Sequence, residues 1–460
     1  MRALCVCVLL SGCAAAPARP VVALPEQWSV QPAPHTAAGA PVLWDLFQCD
    51  ELRALLTAAQ HTPQAAAAEA RIKQAEAAVR VARAPLFPDL GAAFEVTGQS
   101  DNGKNLGSIS GGFLDLGLVA SYQVDLWGQQ AQRVTAAQAR AELSRFERAG
   151  QSLTISAGVA DLYFEVLSLR ERVARAQQNL VASQRVLTVV EARARSGVAY
   201  EREVAQQRSL VAAESGALAQ LNAAEGEARV ALALALGRTS NALTVNAQSL
   251  DAVRDVVVDQ VDLGVPQRLL EHRPDVARAE AELAGAHADV SAARAAFLPQ
   301  LRLIGAAAMQ SVFWSQWENG VGVVYSGTLS IAQPLFDGGQ MRAERDQALA
   351  RRAEVEANYR SAVLAAAADV ERGLRAWQGA RDQLQLQQTA VDEARRAFEL
   401  IQVELEAGAG ELLSVLDAQR TLFRAQDSLS QLRLLKLRAA VAVVRALGGG
   451  WSSPAFAGEG

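Results

Sequence analysis

Apolar residues recur along this chain with two different periods. From residue 90 they alternate: Leu90, Ala92, Phe94 and Val96 share one side, and Gly91, Ala93, Glu95 and Thr97 share the other. A polar, glycine-rich stretch covers Gln99 to Gly112. Alternation then resumes, with Leu114, Leu116, Leu118, Ala120, Tyr122 and Val124 against Asp115, Gly117, Ser121, Gln123 and Asp125. The same happens near 300, where Leu301, Leu303, Gly305, Ala307 and Met309 answer Val321, Val323, Tyr325, Leu329 and Ile331. A period of two predicts strands over about 90–98, 113–126, 300–309 and 321–333. Strands this long, apolar on one face and polar on the other, fit a transmembrane β-barrel wall. They also fit an antiparallel sheet over a soluble core. If the wall lies in a membrane, four strands cannot enclose a lumen, so several chains must share one barrel.

Between these regions the period changes. Val159, Leu162, Val166, Leu169, Val173, Ala176, Leu180, Ser183, Leu187, Val190 and Ala194 step by three and four without interruption. Val370, Trp377, Leu384, Val391, Ala394, Phe398, Ile401 and Leu405 keep much of that spacing. A 3.5-residue repeat predicts long helices packed as in coiled coils. The expected spans are about 129–194 and 340–407, with return helices over about 200–236 and 411–447 and breaks at Gly197 and Gly408–Gly410. At 1.5 Å per residue each long helix reaches about 100 Å. The short helix 63–84 and the return helix 200–236, stacked end to end, nearly match that length.

Five local matches share one offset of 211. His61-Thr62-Pro63 returns as His272-Arg273-Pro274, and Arg83-Ala84-Pro85 as Arg294-Ala295-Ala296. Gly128-Gln129 returns as Gly339-Gln340, Ser196-Gly197 as Ala407-Gly408, and Ala235-Leu236-Gly237 as Ala446-Leu447-Gly448. Two copies of one unit are therefore expected, over 50–237 and 266–448, with a linker at 238–265 and a tail at 449–460. The fold class is α+β.

Charge and cysteine content narrow the setting. With 49 acidic and 44 basic residues the net charge is −5, which excludes a broadly basic nucleic-acid binder. No uncharged apolar run is long enough for a helical membrane span. Residues 1–12 read as a signal peptide ending Leu10-Ser11-Gly12 before Cys13, the pattern at which a bacterial lipoprotein is cleaved and lipidated on the cysteine. Ala14 follows, and outer-membrane sorting is expected. Residues 14–43 are rich in proline and alanine and suit an extended tether within the anchor region 13–49. Cys5 and Cys7 leave with the leader, so Cys49 has no disulfide partner.

No catalytic constellation appears. His35, His61, His272 and His287 are scattered, and no zinc or nucleophile spacing involves them. Asp337-Gly338-Gly339 joins a strand to a helix without the Lys-Ser/Thr of a phosphate loop, and reads as a tight turn. Beyond the leader only Met309 and Met341 remain, which gives no thioether ladder for copper. Neither an enzyme nor a cofactor is expected.

Several motifs occur in one order: Leu269-Leu270-Glu271-His272-Arg273-Pro274-Asp275-Val276, Ala295-Ala296-Phe297-Leu298-Pro299, Gln333-Pro334-Leu335-Phe336-Asp337-Gly338-Gly339, Leu416-Asp417-Ala418-Gln419-Arg420 and Ala446-Leu447-Gly448-Gly449-Gly450-Trp451. Together they resemble the TolC-type outer-membrane efflux family, most closely its lipoprotein branch serving resistance-nodulation-division pumps. The resemblance covers nearly the whole mature chain. It implies a homotrimer whose four strands per chain close a twelve-stranded barrel in outer-membrane lipid, continued by a helical barrel in the periplasm. It also implies a passive exit duct partnered by a periplasmic adaptor and an inner-membrane transporter.

The same resemblance places Leu413, Asp417 and Arg420 near a constriction at the periplasmic mouth. Leu413 and Asp417 are i,i+4 neighbours, so they share a helix face. A local Asp417–Arg420 pair is the competing reading. Phe313, Trp314 and Trp317 suit a membrane-interface girdle, a cap on the outer opening, or simple loop packing. Two other functions compete with efflux: a duct for type I protein secretion, and a coiled-coil lipoprotein scaffold without a pore.

Overall fold

A computed structural model describes residues 20, 22–25, 27–28, 43–100, 110–254, 272–311, 322–407 and 411–451. After helix α1 (Asp50–Ala59), one series of elements occurs twice. The first set is α2 (Pro63–Arg83), β1 (Asp89–Ser100), β2 (Ser110–Val124), α3 (Gln129–Arg195) and α4 (Glu201–Ala235). The second set is α5 (Pro274–Ala295), β3 (Gln300–Ser311), β4 (Gly322–Ala332), α6 (Gln340–Glu406) and α7 (Leu412–Ala446). Pro63 to Pro274, Asp89 to Gln300, Gln129 to Gln340 and Glu201 to Leu412 are all steps of 211. α3 and α6 each have 67 residues, and α4 and α7 each have 35.

Strand ends differ slightly from the alternating pattern, and local capping gives the reason. β2 stops at Val124 because the Asp125 carboxylate accepts from the backbone N–H of Gln130 at 3.0 Å and of Ala131 at 2.7 Å, which starts α3. Gly128 turns the chain there with φ 75°. In the second copy Asp337 accepts from Met341 N–H at 2.8 Å and Gly339 N–H at 2.9 Å. Those two donors hold its carboxyl below the usual range.

The four strands form one antiparallel sheet in the order β1-β2-β3-β4. Its register brings the alternating faces together. Phe94 lies opposite Leu116, Leu116 opposite Met309, and Met309 opposite Val323. Ala92, Leu118, Ala307 and Tyr325 form the next row of the same face. One side of the sheet is thus apolar from edge to edge.

Contacts divide the described chain into two compact units that cut across the repeat. The first gathers Ile72–Ser144 and Arg278–Ser361, including all four strands. There the helices approach closely: an added Cβ on Gly285 would stand 3.5 Å from the Ala139 methyl. Arg140 pairs with Asp289 at 2.6 Å and Arg351 with Glu282 at 2.6 Å.

The second unit comprises Ala23–Arg71, Arg145–Ala277 and Ala362 onward. Its core joins Leu52, Tyr163, Phe164, Leu232, Trp377 and Val443 from five helices. No heptad position named above is exposed. α3 contains a stretch apolar enough to cross a bilayer, but more than half of it is buried inside the chain, as in a core helix. The linker between copies is fastened here. Arg170 donates to the carbonyls of Val245 at 2.8 Å and Ala247 at 2.7 Å, and Glu51 accepts from the backbone N–H of Asn246 at 2.6 Å.

Candidate channel wall and helix-turn-helix gate

The apolar sheet face is open. Leu90 is 69% exposed, Phe94 62%, Leu118 54% and Leu329 64%. Exposed leucines and aromatics in one register-matched layer require a lipid or protein covering. The opposite face carries Glu95, Asp115, Gln123, Arg302 and Ser330, suited to a water-filled lumen. Where strands meet helices, Phe87, Leu126, Trp127, Leu335 and Phe336 are exposed as well. Trp127 Nε1 donates to the Pro299 carbonyl at 2.7 Å, which fixes one of these rings.

At the start of each copy, two distant motifs meet. In the second copy Arg273 is almost buried. Its guanidinium donates to the carbonyls of Ala446 (2.8 Å) and Ala366 (3.3 Å), to Asp275 at 2.9 and 2.6 Å, and to Asp369 at 3.2 Å. Burial alone would raise the Asp275 pKa, but bonding to Arg273 takes its carboxyl below the usual range. Gly448 has φ 88°, and an added Cβ would collide with the His272 carbonyl. In the first copy an added Cβ on Gly237 would collide with the Pro63 ring instead. Thr62 replaces the arginine: its Oγ1 caps α2 by accepting from Ala65 N–H at 3.3 Å and donates to the Ala59 carbonyl at 3.2 Å.

The other functional candidate is the helix-turn-helix end. Leu413 is 64% exposed, and Asp417 and Arg420 are exposed on the same side of α7. Val415, Leu416 and Gln419 on the other side are buried. Among the described residues Asp417 and Arg420 form no ion pair, so the local i,i+3 bridge is not made. Leu413 and Glu411 line a cleft of about 610 Å³ with Val190, Arg193, Arg202 and Glu203. Gly408–Gly410, Cys13, Phe313, Trp314 and Trp317 lie outside the described residues.

Sequence periodicity did not reveal the polar joint beside this site. Ser183, Gln207 and Gln419 are fully buried. Gln207 donates from Nε2 to the Ser183 carbonyl at 2.7 Å, and Gln419 donates from Nε2 to Ser183 Oγ at 3.0 Å. The available signal was a serine in an otherwise apolar heptad row, together with two Gln-Arg pairs offset by 212 rather than 211. One residue is about 100° of helix rotation, so Gln207 and Gln419, which both reach Ser183, stand at positions of α4 and α7 that the offset of 211 does not equate.

Comparison with known proteins agrees with the architecture. The sequence pattern of the outer membrane efflux protein family matches residues 54–238 and 265–449. The chain is 39% identical to the pyoverdine export outer membrane protein OpmQ of Pseudomonas aeruginosa, covering 97% of this chain and 96% of the relative. It is 27% identical to the cation efflux system protein CusC of Escherichia coli, over 97% and 98% of the two chains. Its fold superposes on the Neisseria gonorrhoeae MtrE outer membrane channel, solved in an open state, with a TM-score of 0.84 at 25% identity over 94% and 97% of the chains. With both copies of the repeat matched, this chain belongs to the outer membrane efflux protein family: it is an outer-membrane efflux channel, from a family of ducts rather than enzymes.

Proposed function

We propose that three copies of this chain form the exit duct of a tripartite pump, with a periplasmic adaptor and an inner-membrane resistance-nodulation-division transporter as partners. The register-matched apolar sheet face carries this reading. A four-stranded sheet with two open edges cannot close a pore, and three copies supply twelve strands. Lipid on Cys13, behind a long tether, anchors the chain without a part in the fold. Leu413 and Asp417, repeated threefold, form an apolar and an acidic ring at the periplasmic mouth, with Arg420 one turn further along the helix.

The cargo proposed is a pyoverdine-like secreted small molecule, on the strength of likeness to a pyoverdine export protein over nearly the full length. Deleting the gene should abolish its release into the medium and trap it inside the cell. Unchanged release of that compound, with loss of an exported protein, would instead support the secretion-duct reading.

A further inference from the structure

Polar ties between α3 and α7 run antiparallel through the second unit. Arg438 bonds Glu165 at 2.9 Å, Ser430 donates to Glu171 at 3.1 Å, and Arg172 meets Asp427 at 2.6 Å. The tie nearest the helix-turn-helix end is the buried bond from Gln419 to Ser183. Ser183 stands in a row whose neighbours, Leu180, Leu187 and Val190, are large and apolar. α3 continues for twelve residues beyond it, to Arg195. Over that stretch, among the described residues, no side-chain hydrogen bond or ion pair joins α3 to α7. The contacts there are apolar: Val186 and Val190 share one cluster with Leu405, Val415 and Leu416. The cleft of about 610 Å³ opens at the same end, with Val190 and Arg193 on one side and Leu405, Glu411 and Leu413 on the other.

Resting on the reading that Leu413 and Asp417 form the constriction, we infer that Ser183, Gln207 and Gln419 are its positioning residues. They make a polar fulcrum: the start of α7 moves beyond it, and α7 behind it stays fixed on α3. Gln207 of α4 donates to the Ser183 carbonyl at 2.7 Å and Gln419 of α7 to its hydroxyl at 3.0 Å, so one residue holds three helices at one level. Apolar heptad contacts tolerate slippage, and a buried polar contact among them singles out one alignment.

Two further observations support a role in alignment. The joint is poorly built for cohesion. All three side chains are fully buried, yet Oε1 of Gln207 and of Gln419 accepts no bond from the described chain. Apolar side chains of similar size would occupy the site at lower cost. The joint is also well placed for leverage. The next tie behind it, Arg172–Asp427, is eleven residues back along α3. At 1.5 Å per residue, loss of the joint extends the unfastened length from about 18 Å to about 35 Å. Gln419 is two residues from Asp417 and six from Leu413, so the alignment set here reaches both within two helical turns.

Threonine and valine have nearly the same shape, so Ser183→Thr and Ser183→Val differ in the hydroxyl alone. Neither removes the Gln207 bond, which uses the backbone carbonyl. In the full-length channel, Ser183→Val should make amide hydrogen exchange at 411–418 several-fold faster and leave 425–438 unchanged. Ser183→Thr should match the wild type in both segments. Ser183→Ala removes the hydroxyl without adding bulk and should reproduce the valine result. Unchanged exchange at 411–418 in the alanine and valine variants, or equal acceleration at 425–438, overturns the fulcrum. Resting conductance in planar bilayers should rise several-fold in the same two variants and stay at the wild-type level in Ser183→Thr. Faster exchange at 411–418 with wild-type conductance would uphold the fulcrum and reject Leu413 and Asp417 as the constriction.

Discussion

The two copies of the repeat have the same backbone plan and handle charge in opposite ways at their two ends. Where the second copy begins, Arg273 is buried and paired with Asp275 and Asp369; in the first copy a neutral threonine occupies that place. At the helix-turn-helix end the pattern reverses. In the first copy Arg208 pairs with Glu191 at 2.8 Å, and the backbone N–H of Tyr200 donates to the Glu203 carboxylate at 3.1 Å. In the second copy Asp417 and Arg420 are exposed and, among the described residues, unpaired. Glycine, proline and the apolar periods keep the copies alike. Side chains on those fixed backbones tie the second copy's start into a buried charge network and leave Asp417 and Arg420 exposed at its other end.

The largest effect should come from the rigid end. Arg273→Ala takes one donor from two carboxylates and two carbonyls and should cost about 3 kcal/mol, at the low end for a buried pair because Asp369 keeps Arg372, Asp275 keeps the Val276 N–H, and both aspartates keep some contact with water. Thr62→Ala removes a helix cap and the hydroxyl's bond to the Ala59 carbonyl, and should cost about 1 kcal/mol. Denaturant unfolding of the purified protein checks both. Equal losses would mean that the copies carry the same load there and that the ion pairs add nothing.

The sheet is where the copies should behave alike. Leu118 and Leu329 are counterparts, and both are exposed on the apolar face. Lysine at either should cost roughly 2–4 kcal/mol per chain if that face meets lipid at mid-depth. Lysine at Val119, on the polar face, should cost less. Folding yield into lipid vesicles measures the three together. Small and equal effects at Leu118 and Val119 would remove the lipid-facing assignment.

Much of this plan was legible in the sequence because it is periodic. Alternation marks the strands, the 3.5-residue spacing marks α3 and α6, and the constant offset of 211 ties the copies together. The compact units were not legible, since they mix both copies and depend on which helix segments pack together. Neither was the work of Arg273. A motif shows that an arginine precedes a proline, but not that Ala366 and Ala446 bring their carbonyls to it from distant helices. The gate residues were placed by resemblance, and the spacing did not show the buried Gln419–Ser183 bond on the side of α7 away from Leu413 and Asp417.

The smallest effects on stability, and the most informative on function, should come from the helix-turn-helix end. The Arg208–Glu191 pair is exposed at 59% and 36%, so Arg208→Ala should cost less than about 1 kcal/mol and leave conductance unchanged. Asp417→Ala breaks no side-chain bond among the described residues and should leave unfolding unchanged within about 0.5 kcal/mol. Its effect should appear in a planar bilayer instead, as a higher resting conductance with less preference for cations, because a ring of carboxylates at a narrow mouth both attracts cations and takes part in closure. Leu413→Ala should open the mouth further by removing the apolar constriction one turn away. If one closed state depends on both rings, the double variant should depart from the sum of the singles, as neighbouring sites do when they couple. Wild-type conductance and selectivity in the double variant would move the constriction away from α7, towards Glu201 and Glu203 at the start of α4, and the contrast between the two ends would then lose its functional meaning.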